Sequence, residues 1–170
     1  MTTAAHPIGI IGSGTMGAGI AQVAAASGWA VQLCDLHREA VDDALDRIQR
    51  RLSRAVELGH STRSEADQTL SRLAAPTDIK ELESCDLIIE SVSEDVHTKT
   101  TVLSEIAVVA PESILATCTS SLSISQLGAA SGTGERLVGM HFFNPAPVMP
   151  LVEVVRGEDA SEEALQRATL

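Results

Sequence analysis

The 170-residue chain is 44% hydrophobic and 21% charged, a composition typical of one globular domain. Its 23 acidic residues outnumber its 12 basic ones, and the formal net charge is −11. This balance argues against general binding of nucleic acid or of an anionic membrane, because both need a broad basic face.

Apolar runs alternate with stretches of helical spacing along the chain. In the first half they predict a strand at 8–11, a helix at 14–27, a strand at 30–34, helices at 38–58 and 64–73, and a short strand near 74–77. In the second half they predict a strand at 86–90, a helix at 96–109, a strand at 114–117, a helix at 123–130, strands at 137–140 and 151–155, and a helix from 161 to 170.

These elements predict an α/β fold with a doubly wound, mostly parallel sheet that helices cover on both faces. The helices at 38–58 and 64–73 form a helical hairpin inserted after the second strand. The last helix reaches Leu170 with no C-cap glycine and no following strand. We therefore expect residues 1–170 to be one truncated domain, ending inside an α/β fold or just before another domain.

The first predicted strand leads directly into a glycine-rich loop that opens the first helix. The loop has the pattern G-x-G-x-x-G, and its residues are Gly12, Ser13, Gly14, Thr15, Met16 and Gly17. In this pattern the second glycine lets the backbone approach a pyrophosphate, and the third lets helix and strand pack closely. The helix N-terminus would present free N–H groups and the positive end of its dipole to a diphosphate.

Asp35 ends the next predicted strand, where a dinucleotide-binding domain places the acceptor for its ribose. The carboxylate can accept hydrogen bonds from ribose hydroxyls and would repel a 2′-phosphate, which favours NAD over NADP. Arg38 lies close by in sequence and weakens that preference. The alternative interpretation is a glycine-rich turn without a ligand, with Asp35 as a helix cap.

Five segments occur in an order that is typical of one protein family. They are GSGTMGAGIAQ, Asp35, IIESVSEDVHTK, TSSLSI and HFFNPAPVMPLVEVV, and HFFNPAPVMPLVE is the most specific. With these segments the chain resembles the 3-hydroxyacyl-CoA dehydrogenase family over nearly all of its length. The resemblance implies a Rossmann-type NAD domain, followed by a helical domain that completes the substrate site and usually forms the dimer. It also implies reversible oxidation of the 3-hydroxyl group of an acyl-CoA thioester to the 3-keto group.

Three residues resemble the catalytic group of that family. His141 of HFFNP resembles the catalytic histidine, Glu153 of LVEVV its carboxylate partner, and Ser120 of TSSL the serine that contacts substrate and cofactor. An imidazole titrates near neutral pH and suits a general base, and a carboxylate on its second nitrogen would fix the tautomer. The alternatives are a buried structural His–Glu pair and, for Ser120, an ordinary helix N-cap.

The resemblance extends to three further positions. Asn144 resembles a cofactor-contacting asparagine, and Glu94 and Lys99 resemble positions that line the nicotinamide-ribose side of the site. Alternatively, Asn144 stabilises an Asn-Pro turn, and Glu94 and Lys99 sit on a solvated helix start. The chain departs from the family at Cys118, where the family usually has Asn, and in lacking the helical domain.

The helix at 38–58 carries four arginines on one face, among them Arg51 and Arg54. Coenzyme A carries several phosphate charges, which guanidinium groups suit, so Arg51 and Arg54 are candidate contacts for CoA phosphate. The alternative is pairing with acids of the same helix, as of Arg47 with Asp43 or Arg54 with Glu57. Only Arg51 lacks such a local acid.

Cys34, Cys85 and Cys118 lie far apart, and no C-x-x-C or Cys/His cluster predicts a metal site or a disulfide framework. The sequence shows neither a signal peptide nor an apolar run approaching the roughly 18 residues of a membrane span. We therefore expect a cytoplasmic protein that neither associates with a membrane nor binds a metal ion.

These observations favour an NAD-dependent 3-hydroxyacyl-CoA dehydrogenase with an acyl-CoA substrate. One alternative is an isolated NAD-binding module with little or no catalysis by itself. Another is a related β-hydroxyacid dehydrogenase, a group that shares G-x-G-x-M-G but usually relies on a lysine from its helical region. Apolar surface that the helical domain would cover favours association, so we expect a tendency to form homo-oligomers.

Overall fold

The computed structural model describes residues 6–169, which form one seven-stranded sheet and six α-helices. In chain order the elements of this part are β1 (Ile8–Ile11), α1 (Thr15–Ala26), β2 (Val31–Cys34), α2 (Arg38–Glu57), α3 (Arg63–Ser71), β3 (Leu73–Ala74), β4 (Leu87–Glu90), α4 (Val96–Val109), β5 (Ile114–Thr117), α5 (Ile124–Ser131), β6 (Leu137–Phe142), β7 (Val152–Arg156) and α6 (Glu162–Thr169). Two short 3₁₀ helices, Ile79–Ser84 and Gly134–Arg136, precede β4 and β6.

The strand order is β3-β2-β1-β4-β5-β6-β7, with every pair parallel except β6 and β7, which run antiparallel. This arrangement confirms the predicted doubly wound, mostly parallel α/β fold, with the α2–α3 hairpin inserted after β2. The chain moves outward from β1 through β2 to β3 and then returns to place β4 on the other side of β1. The resulting switch point, beyond the carboxyl ends of β1 and β4, is where open α/β sheets bind ligands.

Neighbouring strand residues contribute to two separate hydrophobic clusters. Ile10 packs in a cluster with buried residues of α1, α2 and α6, whereas Ile11 packs in a second cluster with Leu103 of α4 and Leu127 of α5. Successive side chains of a strand point to opposite faces, so the two clusters cover the two faces of the sheet. Within residues 6–169, no helix combines the length and the apolarity that crossing a membrane requires.

Several predicted boundaries were wrong. The third strand occupies Leu73–Ala74 instead of 74–77, and the preceding helix ends at Ser71. Pro76 has no N–H for a strand ladder, which fits the end of pairing at Ala74. β6 extends to Phe142, beyond the predicted end at 140, and therefore includes His141. Leu170, the last residue of the predicted final helix, lies outside the described residues.

Candidate active site

A cavity of about 1000 Å³ opens at the carboxyl ends of the parallel strands. It extends from the glycine loop after β1 to the turn after β5 and to the end of β6. The predicted site residues on its wall are Gly12, Gly14, Thr15, Met16, Asp35, Glu94, Ser120, His141 and Asn144. The fold thus brings residues from widely separated parts of the sequence to one concave surface, of the size that small-molecule sites have.

The first turn of α1 faces this cavity. Gly14 is its N-cap residue, and neither a side-chain cap nor an acidic side chain is present in the first turn. The N–H groups there have no intrahelical acceptor, and together with the helix dipole they favour an anion. A Cβ on Gly14 would have no atom within 4 Å, so the loop leaves room for a diphosphate. These residues fit the diphosphate of a dinucleotide.

The other two glycines of the loop are required by close packing. A Cβ on Gly17 would lie 1.8 Å from the carbonyl oxygen of Gly12, a distance that no side chain can occupy. Gly12 itself has φ +97°, and its Cβ would lie 2.5 Å from the carbonyl oxygen of Ser91. The loop therefore needs glycine at 12 and 17 for its shape and at 14 for access.

Asp35 is held in place by the loop residue Ser13. Its Oδ2 accepts hydrogen bonds from the backbone N–H of Ser13 at 2.7 Å and from the Ser13 hydroxyl at 2.8 Å. Its Oδ1 accepts only a longer bond, 3.3 Å, from the N–H of His37, and so keeps acceptor capacity for a ribose hydroxyl. Partial burial raises the pKa of Asp35, but the hydrogen bonds from Ser13 outweigh it and hold the pKa below its ordinary value.

Two arginines of α2 form contacts that the sequence did not predict. Arg47 does not pair with Asp43 and instead donates from Nη2 to the carbonyl oxygen of Ser13 at 2.8 Å. Arg38 donates to Asp42 at 2.8 Å and to the carbonyl oxygen of Ala75 at 3.0 Å. The guanidinium group of Arg38 is therefore engaged by protein acceptors. It weakens the preference for NAD that Asp35 sets less than its sequence position indicates.

The turn after β5 carries Ser120 and is organised by Glu94. Oε1 of Glu94 accepts hydrogen bonds from the hydroxyl groups of Thr119 and Ser121 and from the backbone N–H of Ser120. Partial burial raises the pKa of Glu94, but these hydrogen bonds and the nearby Lys99 ammonium lower it below its ordinary value. The Ser120 side chain is left on the cavity wall. Ser123, not Ser120, caps α5, so the N-cap alternative for Ser120 was wrong.

Lys99 lies beneath the cavity wall, not on it. Its side chain is 0% exposed and forms a 2.8 Å ion pair with Glu90, which is also 0% exposed. The alternative of a solvated helix start was therefore wrong for Lys99, and its place on the nicotinamide-ribose side of the site stays a prediction. Glu90 was not singled out from the sequence. Its one signal was a charged residue at the end of the apolar run DLIIE.

His141 and Glu153 are directly opposite each other in the antiparallel β6–β7 ladder. Side chains of opposed residues project from the same face of a sheet, which brings His141 Nδ1 to 2.9 Å from Glu153 Oε2. The ring of Phe143 packs against the imidazole with 4.7 Å between ring centroids. The His141 side chain is 27% exposed, so the pair is not a buried structural one. Among the described residues, no group forms a hydrogen bond with the second nitrogen, Nε2.

Asn144 and Cys118 also lie on the cavity wall. The side chain of Asn144 makes no hydrogen bond to any residue between 6 and 169, so it does not stabilise the Asn-Pro turn in that way. Burial raises the pKa of the Cys118 thiol, which keeps this group uncharged. The remaining candidates, Arg51 and Arg54, are not part of the cavity wall.

Comparison with known proteins gives long relatives of similar sequence. The chain is 45% identical over 161 residues to the 3-hydroxyadipyl-CoA dehydrogenase of Escherichia coli K12, covering 94% of this chain and 34% of that protein. It is 40% identical over 155 residues to the probable 3-hydroxybutyryl-CoA dehydrogenase of Bacillus subtilis 168, covering 91% of this chain and 54% of that protein. The chain thus spans one third to about one half of these relatives.

Solved structures show the same fold and the same partial coverage. The 3-hydroxybutyryl-CoA dehydrogenase of Escherichia coli K12 superposes with a TM-score of 0.92 at 44% identity, over 97% of this chain and 35% of that one. The (S)-3-hydroxybutyryl-CoA dehydrogenase PaaH1 of Ralstonia eutropha superposes with a TM-score of 0.93 at 34% identity, over 96% of this chain and 58% of that one.

The family comparison covers nearly the whole sequence. Residues 7–169 match the family described as the NAD binding domain of 3-hydroxyacyl-CoA dehydrogenase. This match confirms the predicted cofactor, NAD, and the resemblance that the sequence motifs indicated. The chain belongs to the 3-hydroxyacyl-CoA dehydrogenase family, in which it corresponds to the NAD-binding domain.

Proposed function

We propose that this chain is the NAD-binding and proton-transferring part of an enzyme that interconverts 3-hydroxyacyl-CoA and 3-ketoacyl-CoA. The observation that carries the proposal is the His141–Glu153 pair, whose histidine shares a cavity with the N-terminus of α1. The relatives named as dehydrogenases of 3-hydroxyadipyl-CoA and 3-hydroxybutyryl-CoA support the substrate class.

The cofactor would lie along the wall from Asp35 to Ser120. The first-turn amides of α1 would hold its diphosphate, and Oδ1 of Asp35 would accept from a ribose hydroxyl. Asn144, whose side chain has no hydrogen bond within the described part of the chain, would contact the cofactor near its nicotinamide end. When bound, NAD supplies the acceptor for the hydride that leaves C3 of the alcohol.

His141 would take the proton that the hydroxyl group loses. An ionised carboxylate only accepts hydrogen bonds. Nδ1 of His141 therefore keeps its proton and donates a hydrogen bond to Glu153, and Nε2 carries the lone pair. Nε2 is then the base, and Glu153 stabilises the imidazolium that forms. In the reverse direction the same nitrogen returns the proton to the carbonyl oxygen.

Ser120 would hold the reacting oxygen. Its backbone N–H is bonded to Glu94, while its hydroxyl remains on the cavity wall. A hydroxyl group can donate a hydrogen bond to the reacting oxygen, whether this oxygen belongs to an alcohol or to a carbonyl group. Ser120 therefore serves binding and orientation in both directions of the reaction.

Arg51 and Arg54 remain our proposed contacts for the phosphates of coenzyme A. Nη1 of Arg51 is buried and has no hydrogen-bond partner among residues 6–169. Arg54 pairs with Glu57 at 2.9 Å, but both side chains are well exposed, and such pairs contribute little and exchange partners readily. An arriving phosphate would therefore meet two guanidinium groups on one helix.

The experiment is turnover of acetoacetyl-CoA, followed by loss of NADH absorbance, in the wild type, in His141→Gln and in the control variant His97→Gln. His97 is exposed on α4 and outside the cavity. We expect turnover in the wild type and in H97Q and none measurable in H141Q. Undiminished turnover in H141Q would overturn the assigned base.

A second candidate is an NAD-binding module that needs additional chain for catalysis. The catalytic pair favours it, because Glu153 is 53% exposed and a reaction that transfers charge benefits from an enclosed site. Val148 and Leu151, in the loop between β6 and β7, are also exposed and apolar. If the chain binds NADH but does not turn over, adding the remaining region of the E. coli relative in trans should restore the reaction.

The proposal includes a reducing compartment, the cytoplasm, and self-association. Cys34, Cys85 and Cys118 are free thiols, which supports the first part. Burial raises the pKa of Cys85 to about 12, so this thiol stays protonated and unreactive. Exposed apolar residues of the β6–β7 loop support self-association, and a monomer in sedimentation at high concentration would contradict it.

A further inference from the structure

Arg47 of α2 makes a contact that the proposed chemistry does not use. Its side chain is half-buried, next to the buried Ile48, whereas Arg50, three residues further along the helix, is exposed. Asp43 precedes Arg47 by one helical turn, a spacing that favours an ion pair. Nη2 of Arg47 donates instead to the carbonyl oxygen of Ser13 at 2.8 Å. The charged group is therefore directed at the glycine-rich loop rather than at its own helix.

Ser13 is held by two elements at once. It is 1% exposed, and its N–H and its hydroxyl group both donate to Oδ2 of Asp35, which follows β2. Its carbonyl oxygen accepts from Arg47 of α2. A buried carbonyl group without a partner costs free energy, so the contact with Arg47 satisfies the loop. Both donors of Ser13 and its carbonyl oxygen are thus engaged by side chains outside the loop.

The carbonyl group of Ser13 and the N–H of Gly14 belong to the same peptide group. This peptide is trans, and in a planar trans peptide the two groups point in opposite directions. Gly14 lines the cavity, whereas Arg47 does not. Because Arg47 holds the carbonyl oxygen on the side of α2, the N–H of Gly14 points away from α2. Among residues 6–169 no acceptor binds this N–H, so it is available to an anion.

The backbone of Gly14 does not fix this orientation by itself. Rotating the peptide group by half a turn changes ψ of Ser13 and φ of Gly14, which is now −61°, and glycine accepts both signs of φ. A Cβ at position 14 would have no atom within 4 Å, so the loop has room there. In the rotated form the Ser13 carbonyl oxygen would face the proposed diphosphate, and the two would repel each other. The hydrogen bond from Arg47 disfavours this form.

We propose that Arg47 is a positioning residue that holds the Ser13–Gly14 peptide in the orientation that binds a diphosphate. It acts through the Ser13 carbonyl oxygen and lies outside the cavity wall. The inference rests on the proposed function, because it requires the diphosphate to lie on the first turn of α1. Without Arg47, only the fraction of molecules with this peptide orientation binds, and the apparent Kd rises by the inverse of that fraction.

The test compares two ligands by calorimetry. ADP-ribose is the part of NAD that contains the diphosphate but no nicotinamide, and adenosine contains no phosphate. Arg47→Met removes the hydrogen bond to Ser13 and keeps an unbranched side chain. We expect its ADP-ribose affinity to fall about tenfold, the size of one lost hydrogen bond to a charged group, and its adenosine affinity to stay unchanged. NADH affinity should fall by the same factor as ADP-ribose affinity, since both ligands contain the diphosphate.

Arg50→Met is the matched control, because it removes the same charge from an exposed position of α2. Salt screens the attraction between a surface charge and a ligand, so at high salt R50M should bind both ligands like the wild type. The loss in R47M should persist at high salt, because it comes from a contact inside the protein. If R47M does not fold, Arg47→Gln replaces it. Its amide ends two bonds short of Nη2, and its ADP-ribose affinity should fall more than its adenosine affinity.

The outcomes separate the two proposals. A wild-type chain that binds ADP-ribose no more tightly than adenosine would overturn the proposed function and this inference with it. A wild-type chain that prefers ADP-ribose, together with R47M showing the same preference, would overturn the inference alone. Equal losses of ADP-ribose and adenosine affinity in R47M, or an equal loss in R50M at high salt, would also overturn the inference alone.

Discussion

Replacing Glu153 by Gln removes the charge beside His141 and keeps the size of the side chain. The His141–Glu153 distance of 2.9 Å belongs to a pair at the cavity edge, where Glu153 is 53% exposed. The proposed reaction turns the imidazole into an imidazolium, so the carboxylate should matter more in the transition state than in the ground state. We therefore expect kcat to fall while NADH affinity stays unchanged.

The size of the effect follows from the distance. Two unit charges separated by 2.9 Å attract by about 1.4 kcal/mol in the dielectric of bulk water and by about 3 kcal/mol in a dielectric half as large. Because Glu153 is well exposed, the effective dielectric at the pair lies near that of bulk water. A change of 1.4 kcal/mol in activation free energy corresponds to a tenfold change in rate. We expect Glu153→Gln to lower kcat by about 10- to 100-fold.

The assay is NADH oxidation with acetoacetyl-CoA, in whichever preparation turns over, alongside NADH affinity by calorimetry. Glu158→Gln is the matched control, because Glu158 is an exposed acid that follows β7 and lies outside the cavity. A kcat for E153Q within twofold of the wild type would show that Glu153 does not stabilise the imidazolium. A loss of NADH affinity as large as the loss of kcat would also contradict that role.

Three further predictions concern the cofactor side of the cavity. Gly17→Ala should lower the thermal midpoint strongly, because its Cβ would lie 1.8 Å from the Gly12 carbonyl oxygen, whereas Gly14→Ala should keep the midpoint and weaken NADH binding, as calorimetry would show. The pKa of Asp35 lies below its ordinary value of 3.8, so its carboxylate stabilises the fold above that pH and loses this contribution as pH falls through the lower folded-state pKa. The difference in thermal midpoint between wild type and Asp35→Asn should therefore disappear in strong acid, and a difference that grows there would contradict the assignment. Ser120→Ala should lower kcat with acetoacetyl-CoA and leave ADP-ribose affinity unchanged, and equal kcat values would remove Ser120 from the mechanism.

The fold followed from the sequence because local patterns and tertiary packing agree. The apolar strands and the helical spacing between them predicted the doubly wound sheet, which depends on periodicity rather than on individual contacts. The end of the third strand did not follow, since Leu73–Ala74 is a two-residue edge strand whose extent depends on pairing with β2. β6 was predicted too short for a related reason, because antiparallel pairing with β7 extends it to Phe142.

The cofactor loop and the residues on the cavity wall were accessible from motifs, but their supporting contacts were not. The pattern of the loop gave no sign that Ser13 bonds Asp35 or that Arg47 reaches the Ser13 carbonyl oxygen. Arg47 has an acid in the preceding turn of its own helix, so local spacing favoured the wrong partner. Such contacts join elements that are distant in sequence, and the spacing of residues along the chain does not predict them.

Lys99 shows the same limit more sharply. A lysine in the first turns of a helix is usually solvated, and a motif resemblance pointed to the cavity instead. Its burial arises from Glu90, Thr117 and Cys118, which come from the ends of two strands. Only the assembled sheet brings these groups together, so neither composition nor spacing could have predicted the ion pair.

The proposed function requires that one cavity holds NAD with its diphosphate on the first turn of α1 and its nicotinamide beside His141. A crystal structure of the chain with NADH tests this most directly. We expect diphosphate oxygens within hydrogen-bonding distance of the amides that follow Gly14, and a nicotinamide ring between Ser120 and the imidazole. A diphosphate bound elsewhere, or a nicotinamide far from His141, would contradict it.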